Sequence, residues 1–270
     1  MNRSLTTATA ATASAAVLGL SGCGGSSSTN SSGSNAAGSS SATASSSKTI
    51  TVLAAASLTE SFTKLAEDFE KNHPGVEIKM SFAGSQDIAR QLKGGAPADV
   101  VAMADTTTPK TMPADITQGK TWTDFATNEL EIATPKGNPG HVSDLASLAK
   151  VNTVLCAKTV PCGRAADKAL TKANVHAHVV SYEQNVKSTL AKVSSGDADA
   201  AVVYRTDVKA AGDKVTGVDI ASGSNVKTTL PIATWSNNEY AKQFVQLITG
   251  AEGRNCLLYT SDAADDMQCV

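Results

Sequence analysis

Ile50-Thr51-Val52-Leu53-Ala54-Ala55-Ala56-Ser57-Leu58-Thr59-Glu60 reads as a buried strand running straight into a helix, with Ser57 at the joint. An apolar run gives way to small residues. Leu58, Phe62, Leu65, Ala66 and Phe69 then recur at helical spacing, so the hydrophobic period switches from strand to helix at Ser57. A helix that begins at such a corner offers unpartnered N–H groups and the positive end of its dipole, and can hold a small anion without a Lys or Arg. Ser57-x-x-Glu60 is also a capping-box pattern, in which the hydroxyl serves its own helix and the carboxylate folds back onto the cap. Taken alone, the corner supports either reading.

The same corner recurs along the chain. After the turn Asn72-His73-Pro74-Gly75, residues Val76 to Phe82 alternate apolar and polar as a second strand. Ala83-Gly84-Ser85 then opens a helix with Ile88 and Leu92 on one face, so Ser85 repeats the geometry of Ser57. Gly94-Gly95-Ala96-Pro97-Ala98-Asp99 leads into a third strand over Val100 to Met103, and a polar Thr/Pro-rich connection follows from Asp105. A domain crossover is expected near Asn128, after which Glu129 to Thr134 is a strand and Ser143 or Asp144 caps a helix through Leu145 and Leu148. Val151 to Cys156, Val175 to Ser181 and Ala200 to Tyr204 read as further strands. Helices open at Cys162-Gly163-Arg164, with Pro161 well placed at the start, and at Gln184-Asn185-Val186-Lys187. The chain returns to the first half near Val218, where Thr229 to Trp235 reads as a strand and Glu239 to Thr249 as a helix. Strand and helix alternate in both halves, which predicts an α/β protein of two doubly wound lobes with a ligand cleft between them. Lobe 1 covers 48–127 and 219–255, and lobe 2 covers 128–218.

Composition suits this plan and narrows the function. Of 270 residues 41% are hydrophobic but only 4% aromatic, so the core must be built from Ala, Val, Leu and Ile. A net charge of −2 with no basic run leaves nucleic acid without an electrostatic footprint. Residues 1–23 read as an export signal, too short and too rich in Thr and Ala for a membrane span. Leu20-Ser21-Gly22-Cys23 resembles the lipobox of bacterial lipoproteins, which implies lipidation of Cys23; an ordinary cleaved signal peptide is the alternative. Residues 24–47 are almost entirely Ser, Gly, Ala, Thr and Asn and read as a flexible linker. From Cys256 the chain (Cys256-Leu257-Leu258-Tyr259-Thr260-Ser261-Asp262) resembles a translated sequencing adapter, so 256–270 reads as an artefact, the alternative being a genuine acidic tail. Among the five cysteines this leaves Cys156 and Cys162 as a pair, either disulfide-bonded outside the cytoplasm or two inert thiols. That segment holds too few ligands for zinc. His176 and His178 share a strand face whose ordinary reading is a solvated edge rather than a metal site.

Ala54-Ala55-Ala56-Ser57-Leu58, Ser81-Phe82-Ala83-Gly84-Ser85, Gly95-Ala96-Pro97-Ala98-Asp99-Val100, Val160-Pro161-Cys162-Gly163 and Ala201-Val202-Val203-Tyr204, in this order, resemble the molybdate/tungstate-binding proteins that feed ABC importers. The resemblance spans residues 48–255. It implies a type II periplasmic-binding fold whose lobes close on a tetrahedral oxyanion, with no cofactor, no metal held by direct cation ligation and no enzyme activity. It also implies a monomer outside the cytoplasm that touches the membrane only by its lipid anchor and partners an ABC permease. The family's oxyanion-binding positions map to Ser57, Ser85 and Tyr204 through hydroxyls, and to Cys162 and Val186 through backbone N–H groups. Cys162 departs from the small apolar residue expected there, and Glu60 brings a carboxylate within one turn of the anion. Each residue alone has a plainer reading, as a cap for Ser57 and Ser85 and as a core residue for Tyr204; their joint occurrence at corners of both lobes favours anion binding. Two alternatives stand beside molybdate or tungstate. One is another oxyanion, sulfate or thiosulfate, on the same fold. The other is a serine hydrolase using Ser57, for which the Gly-x-Ser-x-Gly elbow is absent.

Overall fold

The computed structural model describes residues 48–251, 253, 254 and 257. Cys23, the 24–47 linker and all of 256–270 except Leu257 lie outside the described residues. The chain first lays down β1 (Thr49–Ala55), α1 (Thr59–Asn72), β2 (Glu77–Ala83), α2 (Ser85–Lys93), β3 (Val100–Ala102), two short helices α3 (Thr107–Thr111) and α4 (Ala114–Thr117), and β4 (Thr123–Asn128). It crosses at Glu129 into β5 (Leu130–Pro135), β6 (Thr153–Cys156), α5 (Pro161–Lys172), β7 (Val179–Glu183), α6 (Val186–Ser194), β8 (Ala200–Tyr204), α7 (Arg205–Ala211) and β9 (Val215–Asp219). It then returns through β10 (Thr228–Thr234) and α8 (Glu239–Thr249).

Two five-stranded sheets result, ordered β2-β1-β3-β10-β4 and β7-β6-β8-β5-β9. In each, four strands run the same way and one strand, β10 in the first sheet and β5 in the second, runs against them. The parallel register fixes the functional end. Ala55 pairs with Ala83 and Ala54 with Ala102, while Cys156 pairs with Glu183, so the strand-to-helix corners stand side by side.

β1 is buried at Ile50, Val52, Leu53, Ala54 and Ala55, as a central parallel strand covered on both faces must be. The apolar stripe of α1 (Phe62, Leu65, Ala66, Phe69) is buried. Phe62 and Phe69 meet Phe244 of α8 at centroid distances of 6.4 and 5.4 Å, and Phe62 meets Phe125 of β4 at 5.8 Å. Four of the five phenylalanines thus lock the return helix to the first lobe. The second lobe packs small residues instead: Ala165, Ala166 and Ala169 of α5 and Ala200 and Ala201 of β8 are all buried. Gly163 is required there: a Cβ on it would stand 1.9 Å from Ala157 O, so α5 begins in direct contact with the turn after β6.

Several elements differ from the sequence reading. The polar stretch after Asp105 contains α3, α4 and β4. β4 goes unread because its burial alternates around only Phe125 and Asn128. The strand expected over Val175 to Ser181 runs from Val179 to Glu183; before it, His178 N–H donates to Leu148 O and its carbonyl accepts from Thr153 N–H, which ties that segment down as a connection. Asp219 still pairs with Glu131, so the chain leaves the second lobe after it. The segment capped by Asp144, which accepts from Ser147 N at 2.9 Å, is a 3₁₀ turn over Leu145–Ala149.

Candidate functional site

The corners of the two sheets face each other across a cavity of about 20 Å³. Ala55, Ala56, Ser57, Ala83, Gly84, Ser85 and Ala104 line it from the first lobe, and Val160, Pro161, Cys162, Asn185, Val186 and Tyr204 from the second. The five candidate residues Ser57, Ser85, Cys162, Val186 and Tyr204 all stand in this wall. The lining contains no charged side chain, and the space suits one small guest. A larger cavity of about 530 Å³ shares Ser57 but extends along β4, β10 and α7 past Arg205 and Lys227. The smaller cavity differs from it in chemistry, because partner-free hydroxyls from both lobes line it.

Three hydroxyls meet at the cavity in different states. Ser57 sits in a 3₁₀ turn, Ala56–Leu58, between β1 and α1, and its buried Oγ has no hydrogen-bond partner. Tyr204 ends β8 with 1% exposure, and its Oη also lacks a partner of good geometry. The neighbouring Thr228 hydroxyl donates to Asn128 O (3.3 Å) instead. Burial first, and then the carboxylates of Asp105 and Asp207, push the phenol pKa far up, so Tyr204 keeps its proton for donation. Ser85 Oγ accepts from Ala104 N–H at 3.0 Å, which orients the hydroxyl and leaves its own proton free to donate. A buried polar group without a partner costs about 1–3 kcal/mol. Ser57 and Tyr204 both carry that cost at the same cavity.

Backbone donors come from helix starts. The first N–H groups of a helix have no intrahelical acceptor. Pro161 begins α5 and lacks an N–H, so Cys162 supplies the first amide. Val186 begins α6 behind Asn185, whose side chain accepts from Ser188 N at 2.9 Å and leaves the Val186 N–H unclaimed. Cys162 is joined to Cys156, the last residue of β6, by a disulfide with Cα atoms 5.7 Å apart, tying the start of α5 to the end of its preceding strand.

The capping-box alternative at Ser57 does not form. The N-cap position of α1 is Leu58, with no side-chain cap. Both oxygens of Glu60 accept from Lys187 Nζ, at 2.7 and 2.8 Å, so the carboxylate turns away from the cavity. Lys187 also approaches the fully buried Asp207 at 3.1 Å, off the alignment of a good hydrogen bond. Burial lifts the Asp207 carboxyl to about 7 against the opposing pull of Lys187. Arg164 Nε and Nη2 donate to Asp105 Oδ2 at 3.0 and 2.7 Å, and Nη2 also reaches Thr108 Oγ1 at 2.8 Å.

Sequence reasoning overlooked these pairs, although Arg164 and Lys187 lie two and one residues after the predicted donors Cys162 and Val186. It also overlooked Gly84, where a Cβ would stand 2.7 Å from Gln184 O of the other lobe. His176 and His178 are exposed outside β7, and among the described residues no group of three or more His, Cys, Asp or Glu is arranged to hold a metal ion.

Residues 50–258 match the family model described as bacterial extracellular solute-binding protein. The molybdate-binding protein ModA of Mycobacterium tuberculosis is 38% identical over 217 residues, covering 78% of this chain and 83% of the relative. Among solved structures, the Azotobacter vinelandii periplasmic molybdate-binding protein superposes with a TM-score of 0.67 at 20% identity, over 80% of this chain and all of its own. The sulfate-binding protein SubI of Mycobacterium tuberculosis superposes with 0.66 at 17% identity, over 79% and 85%. The fold is therefore the two-lobed type II periplasmic-binding fold.

Proposed function

The chain belongs to the bacterial extracellular solute-binding protein family, and from that premise we propose that it captures molybdate or tungstate outside the cell and delivers it to an ABC permease. The observation that carries this reading is the pair of buried, unpartnered hydroxyls, Ser57 Oγ and Tyr204 Oη, on opposite walls of a cavity without a charged side chain. Molybdate and tungstate are fully deprotonated dianions at neutral pH, so each oxygen only accepts. Phosphate keeps a proton and needs an acceptor, which a wall of donors withholds. Hydrogen bonds to a charged group contribute about 1.5–3 kcal/mol each. Half a dozen, less desolvation and lobe closure, would suffice for nanomolar binding, about −12 kcal/mol.

The relatives named for molybdate support the choice of anion. Sulfate carries the same charge on shorter bonds and fits more loosely between donors spaced for a larger anion. On this reading the protein is a carrier, as its solute-binding family supports, whereas the serine-hydrolase alternative requires a base hydrogen-bonded to Ser57 Oγ. Lipidation of Cys23 anchors a monomer to the membrane, with 24–47 as its tether. Calorimetric titration with tungstate, molybdate, sulfate and phosphate tests the proposal. Tight binding of the first two and none of phosphate is expected; tight sulfate binding without tungstate would replace it with a sulfate or thiosulfate carrier.

A further inference from the structure

The helices α5 and α6, whose first amides face the cavity, each carry a cation on the same first turn, and neither cation points at the cavity. Arg164 reaches out of the second lobe to Asp105 (3.0 and 2.7 Å) and Thr108 (2.8 Å) in the first. Lys187 reaches across to Glu60 (2.7 and 2.8 Å). The lobe-1 partners also sit at the corners. Asp105 follows Ala104, whose N–H holds Ser85 Oγ, and Glu60 lies one turn after Ser57. We infer that Arg164 and Lys187 are positioning residues, two clasps that hold the lobes shut over the anion and set how long it stays.

The inference rests on the oxyanion reading above. Each helix start that gives an N–H to the ligand is bound through its next side chain to the opposite lobe, so the approach that brings donors to the anion also forms both ion pairs. Their carboxylates take up the cations, and the anion meets neutral donors rather than a fixed positive charge. That leaves selectivity with the cavity and retention with the clasps.

The clasps differ in how dry they are. Arg164 and Asp105 are 25% and 12% exposed in their side chains, whereas Glu60 is 47% exposed. Asp105 is held rigid by accepting from Thr108 N–H and Oγ1–H at 2.9 and 2.8 Å. Opening would strip the Arg164 guanidinium of its carboxylate and leave it only the Thr159 carbonyl of its own lobe, while Lys187 would retain the buried Asp207 carboxyl at 3.1 Å. Breaking a buried, hydrogen-bonded charge pair acts mainly on dissociation, and a half-exposed pair counts for less.

The full chain loaded with radiolabelled molybdate and chased with excess unlabelled molybdate reads this out directly. Arg164→Met should speed release roughly thirtyfold and Glu60→Gln about threefold, with association nearly unchanged. Arg164→Lys should fall between Arg164→Met and the parent. Added salt should accelerate release from the parent more than from the Arg164→Met/Glu60→Gln double variant. Glu60→Gln changes an exposed carboxylate and keeps the test valid if Arg164→Met does not fold. Parental release rates in Glu60→Gln and Arg164→Lys, or a salt response that survives in the double variant, would overturn the clasps and leave the oxyanion reading standing. A parent chain that retains no label would overturn both.

Discussion

The first lobe aims side chains at the cavity, the hydroxyls of Ser57 and Ser85, while the second aims the backbone N–H groups of Cys162 and Val186 and adds one phenol, Tyr204. The supports differ accordingly. In the second lobe the presenting backbone is pinned: Pro161 starts α5, Gly163 packs against Ala157 O, the Cys156–Cys162 bond ties α5 to β6, and Asn185 caps α6. In the first lobe Ser85 is steadied by a single hydrogen bond from Ala104 N–H, and Ser57 by none. One lobe is thus a preset rack of amides, which costs little to organise on binding. The other consists of hydroxyl rotors that can be deleted one atom at a time.

Substitutions that exploit this contrast should rank in a definite order. On the proposed reading Ser85→Ala removes a donor to the anion, and it orphans the Ala104 N–H. Tungstate affinity should fall by about 3 kcal/mol, with a lower melting temperature, by calorimetry and thermal denaturation. Tyr204→Phe removes only the donor, and the hydroxyl it deletes is already unpaired. Affinity should fall by about 2 kcal/mol while stability holds or rises; a drop in stability would mean that the phenol is bonded within the protein. Replacing Cys156 and Cys162 together by Ser should cost roughly 2 kcal/mol of stability by denaturant titration, on the chain-entropy account of a small loop. Binding should weaken less, because the Cys162 amide itself remains.

The remaining test reads pH rather than binding and concerns Asp207. Its folded carboxyl is raised to about 7 from 3.8, so the folded protein holds a proton that the unfolded chain has already released. Stability from this group is therefore greatest below 3.8, falls as pH rises towards about 7 and levels off above. Asp207→Asn should flatten that part of a melting-temperature profile against pH, whereas an unchanged slope would assign it to other groups.

The corners were legible in the sequence because the switch from strand to helix at Ser57, Ser85, Cys162 and Val186 is local, written in apolar spacing, Pro161 and Asn185. The opposition of Tyr204 to Ser57 came through the family resemblance, since nothing local to Ala200–Tyr204 distinguishes a ligand phenol from a core one. The inter-lobe pairs were hidden because they join residues 59 and 127 positions apart, and a Glu one turn into a helix looks like half of a capping box until its partner is placed. β4 was missed for a similar reason: its place at the sheet edge comes from pairing with β10, a hundred residues away at Asn128 and Thr228.

Crystals grown with tungstate would test the cage most directly, through the anomalous signal of tungsten. A single strong peak is expected between the lobes, with oxygens in hydrogen-bond reach of Ser57 Oγ, Ser85 Oγ, Tyr204 Oη and the amides of Cys162 and Val186. A peak in the larger cavity beside Arg205 and Lys227, with the small cavity empty, would contradict it.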